Sequence, residues 1–170
     1  MARLFFALWP DNKTQSSLYH VARQFKNEKI RLVKKTNLHI TLEFLGEVSE
    51  YDKQQLIEKA NHIQVDPFQI ELTSIGWWKK PGVLWVGPHH IPQALTILVE
   101  SIKKIVEQQD LETDKRSYQP HITVARKVKQ VQLTKLSFDI HWQVNSFVLV
   151  ESKSTEMGVV YQIVQKWTAN

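Results

Sequence analysis

"NLHITLEFLG" occupies residues 37–46, and "QPHITVARKV" occupies residues 119–128. The tripeptide His-Ile-Thr therefore occurs twice, at residues 39–41 and 121–123, and each copy opens an apolar run. Alternate side chains of a strand point to opposite faces, so each histidine shares a face with the threonine two residues later. Both segments are predicted to be strands that present an imidazole and a hydroxyl on one face and apolar side chains, including Phe44, on the other.

The same order of elements surrounds both copies. A strand that ends near a proline ("LFFALWP" and "VLWVGP") precedes a long helical pattern and then a basic segment ("RLVKKTN" and "DKRSYQ") that leads into the motif strand. Pro10 precedes His39 by 29 residues, and Pro88 precedes His121 by 33. A duplicated strand–helix–strand unit of this kind is expected to pack about an approximate two-fold axis, which would bring the two motif strands together.

Periodicity predicts the remaining elements. Helical patterns cover residues 11–27, 49–63 and 91–109, with Asp11 or Asn12 capping the first and Ser49 the second. Strand patterns rich in β-branched and aromatic residues cover residues 2–9, 37–46, 68–78, 82–87, 121–126, 136–152 and 158–167.

A pair of histidines suits acid–base chemistry. With an ordinary pKa of about 6.5, one imidazole can be neutral and the other protonated at the same pH, so one accepts a proton and the other donates one. A threonine hydroxyl can hold a phosphate oxygen. Seven histidines and ten threonines give roughly 0.4 chance occurrences of His-x-Thr, so one copy is weak evidence. Two copies at matched places predict one shared site for metal-free phosphodiester chemistry.

Composition narrows the class of protein. The chain of 170 residues, 42% hydrophobic and 23% charged, fits a single domain with a sizeable core. It has no cysteine, and no apolar run approaches the roughly 20 residues that span a bilayer, which predicts a cytoplasmic protein without a membrane segment. The net charge of +5 favours a polyanionic ligand. No metal-ligating, ATP-binding or dinucleotide-binding motif occurs, so we expect neither metal nor cofactor.

"HITL" and "HITV" resemble the paired signatures of the 2H phosphoesterases, and the flanks resemble the RNA 2′,3′-cyclic phosphodiesterases, also described as 2′-5′ RNA ligase-like proteins. The similarity runs from "RLFFALWP" through "NLHITLEFLGEV" and "QPHITVAR" to "LVESKSTEMGVVYQIVQKW", nearly the whole chain. The resemblance implies a two-lobed α+β fold, with antiparallel sheets lining a central cleft and helices outside. We expect residues 1–170 to form a single catalytic domain with two pseudo-symmetric lobes.

The resemblance also implies roles for individual residues. His39 would be the proton donor and His121 the proton acceptor in hydrolysis of RNA 2′,3′-cyclic phosphate ends to 2′-phosphates, although the nearly symmetric motifs do not by themselves distinguish the two. Thr41 and Thr123 would hold phosphate oxygens, and Arg126 would offset charge on phosphorus. Strict alternation puts Arg126 on the wrong face, so its role requires a bulge, a twist or action from the strand end.

Further substrate contacts are predicted around the motif strands. Phe5 is the candidate surface for the base, because the family that the chain resembles has phenylalanine at this place and alternation turns it away from Leu4, Phe6 and Leu8; ordinary packing would explain it equally. Trp77 and Trp78 resemble an aromatic lip, with one of the two expected in the core. Six basic residues could guide RNA to the cleft or form an ordinary solvated surface: Lys34, Lys35, Lys115, Arg116, Lys127 and Lys129.

Two other functions stay open at this point. The same histidines could join RNA ends through a 2′-5′ linkage without ATP, with an RNA hydroxyl in place of water. The chain could also be a non-catalytic RNA-binding module, although binding alone does not need an acid and a base. The expected partners are RNA or nucleotides with 2′,3′-cyclic phosphates, and we expect a monomer.

Overall fold

The computed structural model describes residues 1–27, 29–133, 136–156 and 158–169. Within these ranges the chain forms three α-helices: α1 (Asn12–Arg23), α2 (Glu50–Ala60) and α3 (Gln93–Glu107). The strands are β1 (Ala2–Leu8), β2 (Arg31–Leu32), β3 (Ile40–Val48), β4 (Phe68–Trp78), β5 (Val83–Pro88), β6 (Ile122–Arg126), β7 (Ile140–Val144), β8 (Ser146–Thr155) and β9 (Gly158–Thr168). A short 3₁₀ helix, Lys35–Asn37, precedes β3.

The strands form one antiparallel sheet in the order β7-β4-β5-β6-β3-β1-β8-β9, and β2 pairs with the free part of β6. The sheet has two halves. From the centre outward, each half contains the strand with the His-Ile-Thr motif, the strand that precedes the helix of that repeat, and two further strands. One half is β3-β1-β8-β9 and the other is β6-β5-β4-β7. The predicted α+β fold with duplicated, antiparallel halves is confirmed.

The two motif strands meet at the centre of the sheet. Ile40 of β3 lies directly opposite Ile122 of β6 in an antiparallel register. Because these are the middle residues of the two His-Ile-Thr segments, the approximate two-fold axis passes between them. The duplication seen in the sequence is therefore the reason that the two motifs are neighbours.

One face of the sheet carries the main core. Buried residues of all three helices, among them Leu18, Leu56 and Ile102, pack with Leu4 and Phe6 of β1. A smaller cluster of Phe5, Ala7, Val148 and Val150 lies on the opposite face of β1 and β8. The helices therefore cover one face and leave the other as a concave surface, the cleft.

The two predicted N-caps are confirmed. The Asp11 side chain accepts the backbone N–H of Thr14 at 2.7 Å, and the Ser49 hydroxyl accepts that of Asp52 at 3.0 Å. Each cap satisfies an N–H group that the first turn of a helix leaves without a partner. Among the described residues, no helix is long and apolar enough to cross a membrane.

The predicted single strand over residues 136–152 was wrong. Residues 136–139 lie outside the strands, and the rest of the segment breaks at Asn145 into β7 and β8. β7 pairs with β4 in one half of the sheet and β8 pairs with β1 in the other. Main-core residues occupy even positions up to Val144 and odd positions from Phe147, so the alternation shifts by one residue at the break, and a strand pattern on both sides does not by itself show the change of partner.

A β-bulge follows the motif threonine in each half. Ala7 pairs with Thr41 and Phe6 with Glu43, which leaves Leu42 as the extra residue in β3. In β6 the extra residue is Val124, by the corresponding shift against β5. An extra residue exchanges the two faces of the strand beyond it.

The bulges show that one predicted position was wrong and explain how a second residue reaches the cleft. Phe44 was expected in the core, but it lies on the cleft side with 45% of its surface exposed, while Glu43 is buried in its place. Arg126 was expected to need a bulge, a twist or a place at the strand end to reach the cleft, and a bulge at Val124 brings it there. Phe44 and Arg126 occupy equivalent positions in the two halves.

Candidate active site

A cavity of about 500 Å³, here called the cleft pocket, lies over the junction of β3 and β6. This volume is in the range of small-molecule sites, roughly 300–1,000 Å³. All six residues predicted for the site line it: Phe5, His39, Thr41, His121, Thr123 and Arg126. Their placement in one pocket is a property of the fold, and their individual roles stay predictions.

The register of the central strands arranges the four motif side chains. Extending the pairing of Ile40 with Ile122 by one residue in each direction places His39 opposite Thr123 and Thr41 opposite His121. Directly opposed side chains in an antiparallel pair lie about 4.5–5.5 Å apart at their Cβ atoms. Each histidine therefore has the other half's threonine beside it, and the histidines occupy diagonal corners around one small volume.

The same backbone contact orients both imidazoles. His39 Nδ1 lies 2.7 Å from the carbonyl oxygen of Asn37, and His121 Nδ1 lies 2.8 Å from that of Gln119. A carbonyl oxygen only accepts hydrogen bonds, so Nδ1 carries the hydrogen in both rings. In the neutral ring Nε2 then has a lone pair, and it is the atom at which each histidine takes up or releases a proton.

Aromatic rings enclose His39. Trp9 stacks on its imidazole in a parallel arrangement, with ring centroids 5.0 Å apart. Phe5 lies at 5.0 Å, and Tyr161 contacts it edge-on at 5.2 Å. These rings exclude water from most of the imidazole.

His121 has a simpler environment. The edge of Trp78 contacts it at 4.6 Å. Trp77 instead packs against the main core and donates its indole N–H to the Val128 carbonyl at 3.0 Å. The expectation that only one of the two tryptophans is in the core is therefore confirmed.

Both imidazoles are harder to protonate than an exposed histidine. Burial lowers the pKa of His39 from 6.5 to about 4, the hydrogen bond to Asn37 opposes the shift, and the charges of Arg126 and His121 add to it. Burial also lowers the pKa of His121, opposed by the bond to Gln119 and assisted by Arg126. At neutral pH both rings are therefore neutral, and an anion bound between them would raise both pKa values.

The pocket carries several cations. Arg3, Arg31, Lys34 and Arg126 line it, and no aspartate or glutamate is among its described lining residues. Of the six basic residues suggested as guides for RNA, only Lys34 lines the pocket. Sequence reasoning missed Arg3, although it alternates with Phe5 and so shares its face, and Arg31, which lies in the short strand β2.

Trp9 and Tyr161 were also missed. Trp9 continues the alternation of Phe5 and Ala7 beyond the end of β1, a signal that was present in the sequence. Tyr161 had no such signal, because only the pairing of β9 with β8 brings it over the cleft: Tyr161 lies opposite Ser152, and both line the pocket.

Two contacts on the other side of the sheet hold the segment before His121. Buried Glu43 accepts the backbone N–H of Asp114 at 2.8 Å and lies 3.8 Å from the Lys103 ammonium. The Tyr118 hydroxyl donates to the Thr41 carbonyl at 3.1 Å. The loop that leads into the second motif is thereby joined to the strand that carries the first.

A metal centre has no visible ligand set in the part of the chain that is described. Within it, no group of three or more histidine, cysteine, aspartate or glutamate side chains is placed to hold a metal ion. The cleft pocket contributes imidazoles, hydroxyls and cationic groups. This set suits stabilisation of an anionic phosphorus centre with proton transfer on two sides, the arrangement expected of a two-histidine phosphoesterase.

Comparison with known proteins agrees with this class. The family described as LigT like Phosphoesterase matches residues 8–85. The RNA 2′,3′-cyclic phosphodiesterase of Methanocaldococcus jannaschii is 31% identical to this chain, over 97% of this chain and 99% of the relative. The Escherichia coli protein of the same name is 29% identical over 97% and 95%. A crystal structure of E. coli LigT complexed with 3′-AMP matches with a TM-score of 0.92 and 28% identity, over 99% of this chain and 98% of that chain. The chain belongs to the LigT-like phosphoesterase family.

Proposed function

We propose that this protein hydrolyses the 2′,3′-cyclic phosphate ends of RNA to 2′-phosphates. The observation that carries the proposal is the pair of imidazoles, one from each half, with their Nδ1 atoms bonded to backbone and their Nε2 atoms available over one cationic pocket. Relatives that match nearly the whole chain bear the name RNA 2′,3′-cyclic phosphodiesterase. The chain would work as one catalytic domain, since each half supplies one histidine and one threonine.

The proposed reaction needs one proton acceptor and one proton donor. Nε2 of neutral His121 takes a proton from water as the water oxygen bonds to phosphorus. The bond between phosphorus and O3′ breaks, and protonated His39 transfers its Nε2 proton to the departing O3′. The products are a 2′-phosphate and a 3′-hydroxyl. After the reaction His121 is protonated and His39 is neutral, and proton exchange with solvent restores the starting states.

Threonine and arginine would stabilise the charge that develops on phosphorus. The hydroxyls of Thr41 and Thr123 donate to the two non-bridging oxygens, and the guanidinium of Arg126 lies on the same side of the pocket. Donors fixed before the reaction stabilise a developing anion more strongly than water does, because they need not reorganise. The bulges after the threonines keep the hydroxyls and the guanidinium on one face.

The protonation of His39 is the demanding step. Its pKa of about 4 makes it neutral at pH 7, whereas a proton donor must carry the charge. A phosphodiester anion bound between the histidines favours the imidazolium of both rings. We propose that the complex with substrate carries one proton on the pair and that this proton resides on His39, whose attraction to the phosphate is strengthened because the rings of Phe5, Trp9 and Tyr161 exclude water.

Phosphorus NMR of the purified protein with a nucleoside 2′,3′-cyclic phosphate and excess chelator tests the proposal. We expect the cyclic phosphodiester signal to be replaced by that of a 2′-phosphomonoester, at the same rate with and without chelator. A persistent cyclic signal would refute hydrolysis. A 3′-phosphate product would mean that the other bond breaks, and loss of turnover with chelator would refute the metal-free mechanism.

The same material distinguishes the other two functions. RNA with a cyclic phosphate end is incubated with and without a second RNA that carries a 5′-hydroxyl, and the product lengths are compared. A longer product would identify joining of RNA ends, whereas tight, salt-dependent binding with an unchanged cyclic phosphate would identify a binding module.

We also propose that the protein acts as a monomer in the cytoplasm. A monomer is supported by the fact that all six predicted site residues come from one chain. The absence of cysteine suits a reducing compartment. Sedimentation at working concentration tests the first statement, and a mass of twice 19.9 kDa would contradict it.

A further inference from the structure

We propose that Arg3, Phe44 and Arg31 form a second subsite of the cleft pocket, which binds the nucleotide that precedes the cyclic phosphate end of RNA. This inference rests on the proposed function and assigns residues outside the two motifs to recognition of a polynucleotide.

The first argument is the number of charges. A cyclic phosphodiester carries one negative charge, and Arg126 beside the two histidines already offsets it. The same pocket also contains Arg3, Arg31 and Lys34, without a carboxylate among its described lining residues. Among these described residues, neither Arg3 nor Arg31 forms an ion pair with an acidic side chain. A pocket built this way is complementary to more than one phosphate.

The second argument is position. Arg3 lies two residues before Phe5 on the cleft side of β1, and two residues of a strand span about 7 Å. Its guanidinium carbon lies 5.1 Å from the centre of the Phe44 ring. Phe44 is itself three residues beyond Thr41. Arg3 is therefore directed at a ligand group further out than the phosphate that His39 and Thr41 contact.

The third argument is the exposed ring of Phe44. The bulge at Leu42 brings this ring to the cleft, where 45% of its surface remains exposed. A large apolar side chain left open beside a guanidinium is the combination that binds single-stranded nucleic acid, through stacking on a base and attraction to a phosphate. A 5′-phosphate alone would use the arginine and leave the ring unused, so we assign the subsite to a nucleotide of an RNA chain.

Arg31 lies at the side of the subsite that is next to the other half of the sheet. It lies on β2 opposite Arg126 of β6, and it reaches the turn between β8 and β9, where a Cβ atom at Gly158 would be 3.3 Å from its Nη2 atom. The pocket wall between them includes Ser152 and Ser154 of β8. Cations from both halves thus converge on the outer part of the pocket.

The test compares three substrates: a nucleoside 2′,3′-cyclic phosphate, its 5′-phosphorylated form, and a trinucleotide ending in the cyclic phosphate. The variants are Arg3→Gln and Phe44→Ala. Phe44→Trp preserves an aromatic ring, and Arg23→Gln, at an exposed position in the last turn of α1, is the matched charge control.

We expect the ratio of kcat/KM for the trinucleotide to kcat/KM for the nucleoside cyclic phosphate to fall roughly tenfold in Arg3→Gln and in Phe44→Ala. Phe44→Trp and Arg23→Gln should keep the wild-type ratio. For the trinucleotide, the slope of log kcat/KM against log salt should become shallower by about 0.7 in Arg3→Gln, the value for one lost phosphate contact on a single strand.

Three results would overturn the subsite. One is an unchanged ratio in both variants. Another is an equal loss on all three substrates, which would indicate damage to the reaction centre. The third is a loss for the 5′-phosphorylated nucleotide as large as for the trinucleotide with no effect of Phe44→Ala, which would assign the position to a terminal phosphate.

Equilibrium binding separates this inference from the proposed function. A fluorescent trinucleotide with the cyclic phosphate is titrated by anisotropy into His121→Ala and into the same protein carrying Arg3→Gln. If no substrate is turned over by the wild type, the proposed function fails. A roughly tenfold weaker affinity with Arg3→Gln would still support the subsite, and an equal affinity would refute it.

Discussion

His39 and His121 occupy equivalent positions in equivalent strands, yet their surroundings differ. In both, the ring Nδ1 contacts the backbone carbonyl of the residue two positions earlier. Both also lie immediately before a strand that contains a bulge. His39 is enclosed by three aromatic rings, whereas His121 meets the edge of Trp78 alone among the described aromatic contacts.

The comparison of the two histidines shows that their geometry and their reactivity are set by different parts of the structure. The duplicated backbone sets where each Nε2 points, and the neighbouring side chains set how readily it accepts a proton. Enclosure takes the pKa of His39 to about 4, while burial lowers the pKa of His121 without the same aromatic enclosure. An approximate two-fold axis can thus supply two similar groups in different surroundings.

The largest expected effect is the loss of either imidazole. His39→Ala and His121→Ala should each lower kcat on a nucleoside 2′,3′-cyclic phosphate by about 10²–10⁴. Because the two act as a unit, the double variant should be little slower than the slower single variant. His62→Ala, at an exposed position after α2, is the control and should retain wild-type turnover. A multiplicative loss in the double variant would contradict a shared proton-transfer mechanism.

The next expected effect is on pH dependence. kcat/KM reports the free protein, in which the active form has one proton on the pair. The pKa of His39 is about 4 and that of His121 lies below the ordinary 6.5, so this form is most populated below pH 6.5. Above that pH, kcat/KM should fall about tenfold per pH unit.

In the same experiment, the optimum of kcat should lie at higher pH than that of kcat/KM, because bound phosphate raises both pKa values. A value of kcat/KM that is constant between pH 6 and 8 would contradict the lowered pKa values or the need for one proton.

A smaller effect is expected on stability. The pKa of His39 is about 4 in the folded chain and about 6.5 when unfolded, so between these values the unfolded chain binds a proton that the folded chain does not. Stability from the neutral ring is complete above pH 6.5 and is lost as the pH falls toward 4. Between pH 7 and 5 this loss is about 2 kcal/mol at most.

Urea unfolding at pH 7 and pH 5 measures this difference, and His39→Gln should remove it. His121→Gln, the matched variant in the other half, should remove less. If both substitutions changed the pH dependence equally, the two environments would be equivalent after all.

The smallest expected effect concerns single rings around the histidines. Trp9→Ala opens one face of His39 to water and should raise its pKa by roughly one unit, as seen by NMR titration of the imidazole Cε1–H. Trp78→Ala should raise the pKa of His121 by less, since it removes an edge contact from a more open ring. Equal shifts would show that stacking on Trp9 is not the source of the difference.

The sequence predicted much of the architecture because local patterns carried it. Apolar periodicity located the three helices and most strands, and the caps at Asp11 and Ser49 followed from side-chain chemistry. The repeat predicted that the two motifs would meet, since equivalent strands lie on either side of a two-fold axis. Phe5 was placed on the cleft by the family resemblance together with alternation.

The wrong prediction for Phe44 shows the limit of assigning strand faces by alternation. Alternation holds only while each residue pairs with one partner, and a bulge is defined by two strands together. A bulge in β6 was one of three alternatives by which Arg126 could reach the cleft, whereas nothing suggested one in β3. The break at Asn145 also depends on pairing between strands, because β7 pairs with β4 and β8 pairs with β1.

The chain's own order of residues thus specified the repeat, the two His-Ile-Thr faces and the helices that cover one side of the sheet, because each depends on neighbours a few positions apart. The tertiary structure decided which groups from distant parts of the chain surround each imidazole. Tyr161 and Arg31 reach the cleft through pairings between segments far apart in the sequence, and the pKa of His39 depends on the water that Phe5, Trp9 and Tyr161 jointly exclude.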